Sequence, residues 1–221
     1  MNKLLNFITT THESNKRNYL DRMFNDKIGS MKKARKFDKN YWDGKRRFGY
    51  GGYHYVKDYW KPLAKKLIKH YKLTNKSSIL DIGCGKAYLL YEILLLLPKI
   101  KIVGFDISSH AIKNAKKEIK KKIFRYDARK KLPFKKEYFD LVISINTLHN
   151  FHLNDLYNAL KEMERVGKKK YLVIEGYRNV KELFNLQCWA LTANAFFTNK
   201  EWKWIFKNFG YKGDFEIIYF K

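Results

Sequence analysis

The sequence predicts an α/β fold: a doubly wound, mostly parallel sheet of six or seven strands with helices on both faces, preceded by an amino-terminal extension. Three observations predict it. Four short apolar runs each end in a polar residue, at Asp81, Asp106, Asp127 and Asn146. Helical patterns follow the first, second and fourth runs, the βαβ alternation of a parallel sheet. A glycine turn, Gly83-Cys84-Gly85, joins the first run to an apolar helix, so the main chain there is bare enough for a ligand to approach closely.

Taken in order, Met1 to Lys39 is polar and basic with little periodicity, and reads as irregular or loosely helical. Lys45 to Tyr55 gathers aromatics, two arginines and the glycines 49, 51 and 52. Pro62 to Tyr71 opens with proline in a first-turn position and keeps its apolar residues on one face, as a helix does. Ile79 to Ile82 is the first strand, and Tyr88 to Leu97 the buried helix after it, closed by Pro98. Ile102 to Asp106 is the second strand, with a helix over about Ser109 to Lys120 capped by Ser108 or Ser109. Ile123 to Ala128 is the third and Phe139 to Asn146 the fourth. A helix from a cap at Asn154 to Val166 leads to a fifth strand, Tyr171 to Glu175. Asn199 to Phe209 is a helix stopped by Gly210, its Trp202, Ile205, Phe206 and Phe209 sharing a core face. Phe215 to Phe220 closes the sheet. Residues 1–60 are thus expected to form the extension or lid, and residues 61–221 the domain.

Ligands of open parallel sheets bind beyond the carboxyl ends of the strands, where four consecutive polar ends now lie. A nicotinamide or flavin site would want a third glycine at position 88, which is Tyr88, and has no use for an Asp-Ala pair after the third strand. From Ser77 to Tyr177 the chain resembles the class I S-adenosylmethionine-dependent methyltransferases, whose fold is Rossmann-like. The resemblance implies S-adenosyl-L-methionine as cofactor. It places Asp81, Gly83 and Gly85 at its methionine part, Asp106 at the ribose, and Asp127 with Ala128 at adenine. Cys84, Ile107, Asn146 and Tyr53 complete the expected cofactor contacts. The family's third glycine is here Ala87, from which a slightly tighter helix approach is expected. The family's sheet commonly has seven strands ending in an antiparallel hairpin, whereas this sequence stops just after the first strand of that pair. Either the last strand is absent, or residues 210–214 hide a short one.

Methyl transfer from a sulfonium is an in-line displacement, so a protein must align the partners and remove a proton where the acceptor is a hydroxyl. His149 after the fourth strand is the candidate general base, with Asn146 and Asn150 orienting; a capping histidine is the plainer reading. Arg46, Arg47, Tyr50 and His54 are expected to face substrate if their segment is a lid, and to pack on the core if it is an entry loop. That segment looks like one found ahead of the cofactor turn in a group of small bacterial methyltransferases. Glu175, Tyr177 and Arg178 close the fifth strand at the same rim, where Arg178 can clamp a carboxylate or phosphate; loop solvation explains them equally. Trp189 is the expected pocket wall.

Composition narrows the class. The 221 residues suit one α/β domain, and the apolar run at 89–97 is far short of the roughly 20 residues a membrane span needs. Met1 to Thr10 lacks the apolar core of a secretory signal, and two cysteines make no disulfide framework, so a cytoplasmic setting is expected. The six histidines lack ligand partners at metal spacing, so no metal is expected. A balance of 47 Lys and Arg against 21 Asp and Glu gives +26, which attracts polyanions. The lysines are spread in short runs, and the wealth of Ile, Asn, Phe and Tyr matches an AT-rich coding bias. The expected function is methyl transfer to a hydroxyl or amine of a small polar metabolite or sugar. RNA methylation is the alternative the charge supports, although the Asn/Asp-Pro-Pro-Tyr type of strand ending is replaced by Ser144-Ile145-Asn146-Thr147. A basic binding protein with a vestigial cofactor site is a third.

Overall fold

The computed structural model describes residues 3–9, 12 and 17–221. Three short helices come first, α1 (Tyr19–Phe24), α2 (Lys27–Ala34) and α3 (Lys39–Asp43). Asn18, Asp26 and Asp38 cap them, each accepting a hydrogen bond from a backbone N–H of the first turn. Of the two readings of Met1 to Lys39, irregular or loosely helical, the described residues follow the second: caps and tertiary partners supply what periodicity did not. Next come α4 (Lys61–Tyr71), β1 (Ser78–Ile82), α5 (Tyr88–Leu96), β2 (Lys101–Asp106), α6 (Ser109–Lys113), α7 (Lys117–Lys120), β3 (Ile123–Arg125) and β4 (Phe139–Ile145). The chain finishes with α8 (Leu153–Val166), β5 (Gly167–Glu175), α9 (Val180–Trp189), α10 (Asn199–Phe209) and β6 (Asp214–Ile218).

The six strands run in the order β3-β2-β1-β4-β5-β6, every pair parallel. Successive residues on a strand face opposite sides, and the core divides accordingly. Ile79, Ile143 and Val173 pack with Leu67 of α4, Leu90 of α5 and Leu186 of α9. Leu80, Val142 and Leu172 pack on the other side with Leu160 of α8 and Trp202 of α10. Among the described residues no helix is long and apolar enough to cross a membrane.

Boundaries shift where local signals compete. The 109–120 helix breaks into α6 and α7, with Ser108 the true cap, accepting from Ala111 N at 3.1 Å. The cap of α8 is His152, not Asn154. β5 starts at Gly167, four residues early, because the Lys168–Lys170 run is drawn into pairing with β4. Trp202, Ile205 and Phe206 are buried, and Gly210 stops α10 at φ +74°.

β6 pairs parallel with β5 in the place next to it, and residues 210–213 form no strand. Its outer edge is met by the amino-terminal segment: Leu5 N donates to Phe215 O, and Phe215 N to Lys3 O. Glu216, fully buried, accepts from the N–H groups of Phe7, Ile8 and Thr9 at 2.7–3.0 Å. That charge-assisted cluster fixes the segment across the sheet edge.

Candidate active site

The strand order reverses between β1 and β4, and the crevice beyond their carboxyl ends is where the chain places its glycine turn. Gly83 N and Cys84 N both donate to Phe105 O, at 2.8 and 3.0 Å, holding the turn against β2. Gly83 and Gly85 take φ +79° and +57°. A Cβ on Gly83 would stand 2.2 Å from Thr147 Oγ1, and one on Gly85 2.7 Å from the Trp42 ring. Ala87, where a third glycine was expected, also lies in the left-handed region at φ +58° and starts α5. The position takes a backbone conformation that glycine adopts freely and alanine under strain.

Under this turn Asp81 is buried and its Oδ1 has no hydrogen-bond partner. Burial, reinforced by the nearby Asp106 charge, pushes its carboxyl up to about 8. An acid so placed is an acceptor waiting for a cationic donor. Asp106 is bonded differently: Oδ2 accepts from Gly85 N at 2.9 Å and Oδ1 from Ser108 N at 2.8 Å. Burial raises it, and those N–H donors offset part of the rise. Burial also raises the Cys84 thiol, which keeps it protonated.

The opposite wall comes from ahead of the domain. Trp42 donates from Nε1 to Ser108 Oγ at 2.9 Å and stacks on Tyr50, with ring centroids 5.2 Å apart and planes 6° from parallel. Tyr50 meets Tyr53 at 4.6 Å, and Tyr53 stacks on Tyr88 at 5.2 Å, an aromatic ladder from α3 to α5. Lys86, 3 % exposed, ties this wall to the glycine turn. Its Nζ donates to Asp43 Oδ1 at 2.7 Å and to Tyr53 O at 2.8 Å, and His110 Nε2 lies 2.6 Å from Asp43 Oδ2. Burial works against the Asp43 charge, but the bonds from His110 and Lys86 outweigh it and bring the carboxyl down to about 2.

Across the crevice, His149 is 4 % exposed. Its Nε2 lies 3.4 Å from Glu175 Oε2, while its Nδ1 is buried without a partner. Burial lowers its pKa more than Glu175 raises it, so the ring is neutral near pH 7. A proton on Nε2, facing Glu175, leaves the Nδ1 lone pair as the base. Asn146 sits at φ +53°, and its Oδ1, like that of Asn150, has no partner.

Asp81, the glycine turn, the aromatic ladder, Asn146, His149 and Glu175 border one cavity of about 600 Å³. Of the residues expected from sequence, Asp81, Gly83, Cys84, Gly85, Asn146, Tyr53, His149, Arg46, Tyr50, His54, Glu175 and Trp189 line it. Others lie outside that lining. Asp106 and Ile107 sit behind the turn. Asp127 is bound by Arg129, with Nη2 to Oδ2 at 2.7 Å, which holds it below the usual carboxylate range; Ala128 is in the core. Arg47 bonds Asp26 at 3.1 Å, Arg178 pairs with Glu182, and Tyr177 forms a β-bridge with Thr198. Sequence reasoning missed Trp42, Asp43, Lys86, His110 and Arg22. Lys86 carried a signal, being the one lysine between Ser78 and Leu97; its acid partner, 43 positions earlier, carried none.

A family model described as a methyltransferase domain matches residues 73–210. The mitochondrial arginine-hydroxylase NDUFAF5 of Mus musculus is 33% identical over 112 residues, covering 49% of this chain and 31% of that one. The malonyl-[acyl-carrier protein] O-methyltransferase of Legionella pneumophila is 35% identical over 92 residues, 40% of this chain and 31% of that one. The chain thus matches about a third of the length of these relatives. Among solved structures, the YcgJ protein of Bacillus subtilis superposes with a TM-score of 0.53 at 20% identity, covering 66% of each chain, a likeness of fold.

Proposed function

Because the chain belongs to the methyltransferase-domain family, we propose that it is an enzyme that moves a methyl group from S-adenosyl-L-methionine to a hydroxyl or amine of a small polar acceptor. The observation that carries this is the buried, partnerless Asp81 carboxyl at the tip of β1, sharing one cavity with the partnerless Nδ1 of His149. An orphaned acid beside bare glycine backbone fits the cationic amino end of that cofactor, with Asn146 Oδ1 a second acceptor at the tip of the neighbouring strand β4. Asp106 is the residue for the ribose, with Ile107 a further cofactor contact, and Asp127 with Ala128 are those for adenine.

When bound, the cofactor supplies a sulfonium-activated methyl group open to in-line attack. The protein's part is alignment and proton removal. His149 Nδ1 takes the proton of the acceptor hydroxyl or amine, and Glu175 orients the ring and stabilises the imidazolium that results. Residues 37–60 act as a lid whose aromatic ladder excludes water from the crevice.

Calorimetry with S-adenosylhomocysteine tests the reading. One molecule is expected to bind, with affinity reduced at least tenfold in Asp106→Ala, which frees the Gly85 and Ser108 N–H groups as well as removing the carboxylate. No binding to the wild-type chain would overturn it.

A further inference from the structure

The Trp189 wall of the cavity is cationic. Arg22 and Arg46 both line it, their guanidinium carbons 4.4 and 5.0 Å from the centroid of the Trp189 ring. Arg17, bonded to His12, lies 5.5 Å from the same ring. Lys27 stands behind them, donating from Nζ to the carbonyl oxygens of Cys188 and Ala190 at 2.7 and 2.5 Å.

Where this chain packs a cation into its fold, it usually gives it an acid. Lys86 has Asp43 at 2.7 Å, Arg165 has Glu162 at 2.5 Å, and Lys170 has Glu164 at 2.9 Å. Among the described residues, neither Arg22 nor Arg46 has a carboxylate at ion-pair distance. Their hydrogen bonds go to carbonyl oxygens: Arg22 to Trp189 O at 3.1 Å and Arg46 O at 2.8 Å, Arg46 to Gly49 O. A guanidinium has five N–H donors, so these bonds leave three on Arg22 and four on Arg46. Burial and the repulsion of Arg46 bring the Arg22 pKa down to about 10, and burial with Arg22 brings Lys27 down to about 8. Gathering like charges out of water is costly unless an anion answers them.

We infer that the methyl acceptor is an anionic small molecule whose carboxylate or phosphate is held by Arg22 and Arg46 against Trp189. This rests on the methyl-transfer reading of the same cavity. Glu175 lies in the cavity too, beside His149 and away from ion-pair range of either arginine. It repels the acceptor's anion, so the cavity is polarised: anion at the Trp189 wall, reacting hydroxyl or amine at His149. A guanidinium pair recognises planar or tetrahedral oxyanions through several parallel N–H···O bonds. Enclosure by Tyr50, Trp189 and the glycine turn favours a small molecule over a polynucleotide.

The test is calorimetry of the wild-type chain, Arg22→Gln, Arg46→Gln and Arg46→Lys at fixed ionic strength. The probes are inorganic phosphate, benzoate, a 20-nucleotide RNA and, separately, S-adenosylhomocysteine. Phosphate or benzoate is expected to saturate one site on the wild type, which of the two binds telling phosphate from carboxylate. Affinity should fall about tenfold in both glutamine variants and less in Arg46→Lys, while S-adenosylhomocysteine binding stays within twofold and so reports an intact fold. Equal anion binding by wild type and variants, or no saturable site, would overturn the inference and leave methyl transfer standing. Loss of S-adenosylhomocysteine binding by the wild type would instead strike at the methyl-transfer reading. RNA that binds one-to-one, displaces phosphate and depends on both arginines would overturn the small-molecule assignment.

Discussion

Asp81 makes the cofactor site a proton-linked one. With a carboxyl raised to about 8, only about a tenth of the free protein carries the charged form at pH 7. An ammonium group brought beside it lowers a carboxyl by about 1–3 units. Taking two, the pKa in the complex is about 6, and binding at pH 7 releases about 0.8 proton. Affinity for S-adenosylhomocysteine should therefore rise about fivefold per pH unit between 6 and 8, about 25-fold over that interval, and level off above. Calorimetry in two buffers of unequal ionisation enthalpy measures the proton count directly. Asp81→Asn should bind within about twofold of the wild type at pH 6, fall about fiftyfold behind it at pH 8, and release no proton. The ligand-free protein carries the same linkage with the opposite consequence. Folded Asp81 keeps a proton that the unfolded chain loses near 3.9, so the stability of the neutral form is full below about pH 4. That stability drains away as pH rises toward 8, at up to about 1.4 kcal/mol per unit. A pH-independent affinity with no proton release would refute the reasoning, since it would mean that Asp81 is already ionised without a cation.

Three further outcomes follow from the same geometry. His149→Ala should lower kcat by about 10²–10⁴ with S-adenosylhomocysteine affinity within twofold. The acid limb of the wild-type kcat profile should lie below pH 6.5, because burial lowers the ring's pKa. Glu175→Gln should move that limb further down, removing the charge that raises it; an unmoved limb would dissociate the pair. Gly83→Ala must relieve a 2.2 Å contact with Thr147 Oγ1 and adopt φ +79°. It should cost about 2–3 kcal/mol, read as a fall of about 4–12 °C in Tm, with Thr147→Ala returning the steric part only. Lys86→Met leaves Asp43 with His110 and the Tyr53 N–H and should cost about 3 kcal/mol, scanning calorimetry giving the value, with faster proteolysis between residues 44 and 60. The Lys86–Asp43 contribution is present above the ordinary carboxylate range and is lost as pH falls toward 2, where folded Asp43 titrates.

The sequence by itself determined the sheet and the floor of the site. Short continuous apolar runs for the strands, helical spacing between them, the capping Ser108 and the stop at Gly210 are local signals, and glycine spacing places Asp81 and Asp106 at neighbouring strand tips without any knowledge of packing. His149, Asn146 and Glu175 were legible for the same reason, as polar residues at the carboxyl ends of predicted strands. What only the tertiary structure decided is everything that depends on partners distant in the chain. The three amino-terminal helices are short, capped by side chains and held by contacts to one another, to α9 and to α6, so no periodicity announces them. Lys86 gained its role only when Asp43 was brought to it across 43 positions, and Arg22, which the sequence did not single out, joined Arg46 only when Trp189 gathered them. A charge becomes chemistry when burial removes its water, and burial is a property of the packed chain, not of the residue.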